Sequence, residues 1–230
     1  MAHQTPAVAG LAEQLLAGDG QFRGARNAVY VVFFGNGFLF ASWASRIPQV
    51  RAELGVTPGV LGLILLCLAV GSGIGTPLSG LVIGRLGEVR TVGVMAVVAA
   101  AGMAAAAVGV LFGARAVAAG LVVFGFGSGT WDVAMNVQGA ALERALGRAI
   151  LPRFHAGWSI GTVAGAGIGA VAGAGIGAVM VAVGVPVTAH LLAVTVVVAV
   201  VVPVAARRFL PGTHDRRHHL PDCLILLDRE

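Results

Sequence analysis

A chain of 230 residues could form one soluble domain, but AVILMFWYC residues make up 57% of it and charged residues only 11%, against about 25% charged in a typical soluble domain. So few charges cannot solvate a soluble surface of this size, a mean hydropathy of +0.91 excludes a disordered chain, and 35 glycines without a G-X-Y period exclude collagen. The composition leaves a polytopic membrane protein, all-α because no segment alternates as a transmembrane barrel requires.

In chain order, residues 1–26 form an N-terminal segment that is polar to mildly amphipathic up to residue 22. It lacks the basic, apolar and cleavage regions of a signal peptide, so the first helix serves as its own insertion signal. Nineteen uncharged residues between Arg26 and Arg46 predict a first span at 27–46. Uncharged runs of 31 residues (54–84) and 24 residues (91–114) predict spans at 58–82 and 91–113. The next stretch, interrupted only by Asp132, predicts 116–141. The last run, 154–206, has 53 residues without a formal charge. A crossing needs about 20 residues, so this run holds two. Gly184-Val185-Pro186 breaks it into 155–182 and 187–206. Six spans thus occupy 27–206. The polar tail at 207–230 changes composition abruptly and reads as disorder or an out-of-frame remnant.

All 15 basic residues are arginines. A cytoplasmic N-terminus puts twelve of them inside and only Arg46, Arg51 and Arg115 outside, as the positive-inside rule requires. The protein is therefore expected in the cell membrane, multi-pass, with its N-terminus in the cytoplasm. Because these arginines mark helix ends and form no single patch with aromatics, nucleic acid is not a partner. Arg46 and Arg51, against the trend, read as solvated loop charges balanced by Glu53, with an anion or gate role as the sharper alternative. In the tail, His214, His218, His219 and Cys223 are ligand types, but Pro211, Pro221 and the nearby charges fit a solvated segment. No metal or cofactor is expected. Cys67 and Cys223 belong to different depths, so no disulfide is expected either.

Asp132 is the one formal charge well inside a span. Intramembrane carboxylates are costly and usually face a cavity or a partner. At 100° per residue, Ser128, Asp132, Asn136, Gly139 and Glu143 fall within a stripe about 80° wide. With the span ending near residue 141, Asp132 lies about 13 Å above that end. That depth suits proton exchange between a wet cavity and the protein, the alternative being a structural carboxylate bonded to a neighbouring helix. His155, Trp158, Ser159 and Thr162 share a face of the fifth span. His155 either pairs with Asp132 or Glu143 or sits at the cytoplasmic interface. Asn36 and Trp43 share a face of the first span. The third span is polar only at Thr91, and the sixth carries two threonines and His190, so both read as peripheral.

The glycines are patterned as well. Gly71/Gly75 and Gly125/Gly129 are GxxxG pairs, which let helices approach closely in lipid. Gly157, Gly161, Gly165, Gly169, Gly173 and Gly177 form a ladder of fours that winds about 200° and so needs more than one partner. Within it, AGAGIGAV at 164–171 recurs at 172–179, a duplication that reads as a repeat expansion.

The segment Gly80-Leu81-Val82-Ile83-Gly84-Arg85-Leu86-Gly87-Glu88-Val89-Arg90 resembles the major facilitator superfamily signature G-x-L-x-D-R-x-G-R-R/K. Gly80, Arg85 and Gly87 match. Gly84 replaces the aspartate, Glu88 and Val89 replace the basic pair, and Arg90 comes one place late. Asp132-Val133-Ala134-Met135-Asn136-Val137-Gln138-Gly139, with Glu143, Phe154-His155-Ala156 and Ser45-Arg46-Ile47-Pro48, is similar to the fucose-permease-like branch over residues 27–206. Val137 stands where the branch has proline, and Ala44 where its first-helix aspartate would lie.

The resemblance implies a secondary transporter, not an enzyme, that moves a small solute such as a sugar together with protons. Spans one and four would line its cavity and spans three and six would stand outside. Asp132 would carry the coupling proton, and Asn136, His155, Ser159, Asn36 and Trp43 would contact solute. Gly80, Arg85, Gly87 and Arg90 would form a conformational loop, and Gly71, Gly75, Gly125, Gly129, Gly161 and Gly165 would pack helices. The superfamily has two six-helix halves, of which this chain matches the N-terminal one. Three readings follow: a truncated product, a half that pairs with a second half or with itself, and an inert membrane protein.

Overall fold

Proline and glycine cut the apolar sequence into helices. Thr57 caps one of them by accepting the Val60 N–H at 3.4 Å, with Pro58 at its first position. Gly55, at φ 61°, ends the short helix before it in the left-handed conformation that glycine adopts without strain. The computed structural model describes residues 6–166 and 176–210, with side chains in 20–166 and 179–210. Its helices are α1 (Pro6–Ala44), α2 (Ile47–Leu54), α3 (Pro58–Leu86), α4 (Glu88–Gly109), α5 (Ala114–Leu146), α6 (Leu151–Ala166), α7 (Ile176–Ala182) and α8 (Val187–Ala206). The described residues contain no strand.

Among the described residues, five stretches are long and apolar enough to cross a membrane: Gly20–Leu54, Pro58–Leu86, Glu88–Gly109, Ala114–Leu146 and Val187–Ala206. They correspond to the first four expected spans and the sixth. The expected fifth span is described as α6 and α7. Gly169, Gly173 and most of the octapeptide repeat lie outside the described residues, as do His214, His218, His219 and Cys223.

Two expectations change. The N-terminal segment from Pro6 onward is continuous with the first span in α1, since residues 7–26 contain no proline and several strong helix formers. The expected loop at 80–90 shrinks to Gly87 alone. Gly80 and Arg85 sit in the last turns of α3 and Arg90 in the first turn of α4, while Gly87 turns the chain at φ 76°.

α5 lies between α3 and α4, α1 pairs with α6, and α8 bridges α4 and α1. The α3–α5 contact is backbone on backbone. A Cβ on Gly71 would strike the Val122 carbonyl, one on Gly75 the Phe126 carbonyl, and one on Gly125 the Leu68 carbonyl. Thr130 Oγ1 adds an interhelical hydrogen bond to the Gly75 carbonyl at 3.1 Å. In the α1–α6 contact, Gly157 meets Tyr30, Gly161 meets Phe34 and Gly165 meets Phe38. Eight residues drift only about 80° around a helix, so these described rungs of the ladder all serve one partner. The outer face of α3 exposes Leu63, Leu66, Val70, Ile74 and Leu81, as a lipid-facing helix does.

Candidate functional site

Where α1, α3, α5 and α6 come together they leave a cavity of about 280 Å³. It is lined by Asn36 and Phe40 from α1, Ser72 and Thr76 from α3, Ser128, Gly129 and Asp132 from α5, and Trp158 from α6. Three of the helices contribute residues four apart, so each turns a single face to the cavity. Gly129 makes room for the α3 hydroxyls: Ser72 Oγ lies 2.7 Å, and Thr76 Oγ1 3.0 Å, from where its Cβ would be.

Asn36 is buried, and its Oδ1 accepts the Trp158 Nε1–H at 2.9 Å, joining α1 to α6. Its Nδ2 is buried without a partner among the described residues. Asp132 is exposed on the cavity side. The site therefore combines a carboxylate, three hydroxyls that can donate or accept, and an amide with a donor to spare. Such a set can pass a proton through water and hydrogen-bond a small polyhydroxylated molecule.

Of the other residues expected to contact solute, none lines this cavity. Asn136 turns its Nδ2 back to the Asp132 carbonyl at 2.9 Å. His155 is exposed, with its ring edge-on to Phe33 at a centroid distance of 5.2 Å. Ser159 is exposed and donates to the His155 carbonyl at 3.1 Å. Trp43 is buried in the core, and its Nε1 has no partner among the described residues. Glu143 accepts the N–H groups of Ile150 and Leu151 at 2.8 Å each, which occupies it at the start of α6. Ser72 and Thr76 were missed by the sequence reading. Nothing in the sequence set them apart from Ser79, the other hydroxyl of the same helix.

A second polar cluster corrects the reading of Arg46. This side chain is only 1% exposed, not solvated. Its Nε donates to His190 Nδ1 at 2.9 Å and its Nη1 to the Val185 carbonyl at 3.0 Å. The turn between α1 and α2 brings residue 46 to His190 in the first turn of α8, which is buried as well and, as expected of the sixth span, lines no part of the Asp132 cavity. Arg46 Nη2 and His190 Nε2 are left without partners among the described residues. Acceptance at Nδ1 fixes the neutral His190 ring with its proton on Nε2.

Span-length apolar helices packed through glycine, with polar groups gathered inside, define a multi-pass membrane protein. Comparison with known proteins agrees. The chain is 36% identical over 134 residues to an uncharacterized transporter of Sinorhizobium fredii, covering 58% of this chain and 35% of that protein. It is 36% identical over 140 residues to an uncharacterized MFS-type transporter of Yersinia pestis, covering 59% and 35%. It is 33% identical over 141 residues to the membrane protein MosC of Rhizobium meliloti, covering 60% and 33%. The chain thus spans about a third of the length of the curated relatives it matches. No family model and no solved structure matches it.

Proposed function

We propose that the chain is the N-terminal six-helix half of a proton-coupled secondary transporter of the major facilitator superfamily, in its fucose-permease-like branch. Its solute is a small polar molecule such as a sugar, and it sits in the cell membrane with its N-terminus in the cytoplasm. The single observation that carries this reading is the cavity that Asp132 lines together with Asn36, Ser72 and Thr76. The names of the relatives support transport in general and the superfamily in particular.

In this reading Asp132 takes up the coupling proton, because a carboxyl at this depth is stable only when neutral or facing water. Solute docks on Asn36 Nδ2 and the α3 hydroxyls, and a second half or a second copy closes the exposed side of Asp132. Asn136 supports the Asp132 turn of α5, while His155 and Ser159 stand at the approach to the cavity. Gly80, Arg85, Gly87 and Arg90 form the tight α3–α4 junction about which the helix pair rocks between inward and outward states.

The test is proton movement into proteoliposomes holding the reconstituted chain and an internal pH dye, challenged with a panel of monosaccharides. Sugar-dependent acidification is expected with the native chain and none with Asp132→Asn. Unchanged acidification in that variant overturns the role of Asp132. No acidification with any sugar, whether the chain is alone or co-reconstituted with a second half, overturns sugar transport.

A further inference from the structure

A second opening shares no residue with the Asp132 cavity. It is a groove of about 480 Å³ between α4 and α8. Val94, Val97, Val98 and Pro203 form its apolar walls, and Arg90 and Arg207 stand at one end. The groove exists because Gly93 brings no side chain to the seam. A Cβ there would meet Pro203 at an ordinary contact distance of 3.6 Å, so the two helices do not close on each other at this level.

The charges are placed with the same asymmetry. Arg90 lies in the first turn of α4 and Arg207 directly follows α8, so both mark the same end of this helix pair. Both are exposed. Glu88, the nearest carboxylate in sequence, is buried and lies about 200° from Arg90 around α4, so it does not neutralise the pair. From Arg90 to Val98 the groove runs about 12 Å along the helix. A cationic mouth at the helix ends with an apolar trough running toward the bilayer centre complements one kind of molecule, since basic pockets between spans at the membrane surface bind anionic headgroups.

We propose that this groove holds one anionic phospholipid, its phosphate between Arg90 and Arg207 and one acyl chain along Val94, Val97, Val98 and Pro203. The proposal rests on α4 and α8 crossing the membrane and not on transport, so it stands or falls separately from the role of Asp132. The occupant is lipid rather than protein because both lining helices are of span length and because Val94 and Val97 are 44% and 43% exposed on the same side.

The test is native mass spectrometry of the full chain, released from nanodiscs of phosphatidylcholine mixed with phosphatidylglycerol. One retained phosphatidylglycerol is expected in preference to phosphatidylcholine, and Arg90→Gln with Arg207→Gln should weaken that retention roughly 30-fold. Val94→Trp fills the trough from the lipid side while keeping both arginines, and it should also lose the lipid. Equal retention of the two lipids, or undiminished retention in the double arginine variant or in Val94→Trp, overturns the proposal. Displacement of the lipid by inorganic phosphate at millimolar concentration would assign the arginines to free phosphate and overturn it as well.

Discussion

Two places in this bundle put a charged side chain among apolar helices, and they do so in opposite ways. Around Asp132 the helices leave space: the carboxylate is exposed on a cavity of about 280 Å³ that three hydroxyls also line. Around Arg46 they leave none: the guanidinium is 1% exposed and fastened to His190 and the Val185 carbonyl. A charge with room and no fixed partner can change its protonation or its ligand at little structural cost. A charge enclosed and hydrogen-bonded on two sides ties elements together, here the α1–α2 turn to the start of α8, and its removal strands the groups it served.

This contrast can be broken by substitution. The largest effect is expected from Arg46→Ala, which leaves the His190 acceptor and the Val185 carbonyl unpaired beside a new void. It should cost about 3 kcal/mol, read as a large fall in thermal stability of the detergent-solubilised chain. Next comes Gly125→Ala, which pushes a methyl into the Leu68 carbonyl and should cost about 2 kcal/mol by forcing α3 away from α5. Measured by the same melt, it tests whether the glycine contact holds α3 against α5.

Trp158→Phe removes the N–H that Asn36 accepts and should cost about 1 kcal/mol, the usual scale of a hydrogen bond between helices in membranes. Asp132→Asn should change stability by less than about 0.5 kcal/mol, as substitutions without a fixed partner do, while abolishing sugar-dependent acidification. If it destabilised the chain as much as Arg46→Ala, Asp132 would be a structural carboxylate and the contrast would fail.

How much of this could be read from the sequence differs between the two places. Asp132 stood out because it interrupts a long uncharged run, and Asn36 and Trp158 lay on the polar faces expected of their helices. Arg46 was misread because a charge at the end of an apolar run looks like a loop charge. Only the turn into α2 and the position of α8 show that it points inward. Trp43 shares a helix face with Asn36 by periodicity, yet the structure sends one to the core and the other to the cavity. Ser72 and Thr76 carried no distinguishing signal, since serine and threonine in a span often only bond their own helix.

The sequence by itself determined the membrane class, the approximate positions of five span-length helices and several of the glycines at which backbones touch. The bilayer demands apolar stretches of a fixed length, glycine marks where backbones can touch, and both constraints are local. Only the tertiary structure decided which polar groups meet. That depends on how far each helix is rotated and on which neighbour it leans, set jointly by the Gly71, Gly75 and Gly125 contacts on one side and the Gly157, Gly161 and Gly165 contacts on the other. No single helix encodes that outcome, so the open site at Asp132 and the closed one at Arg46 became distinguishable only after packing.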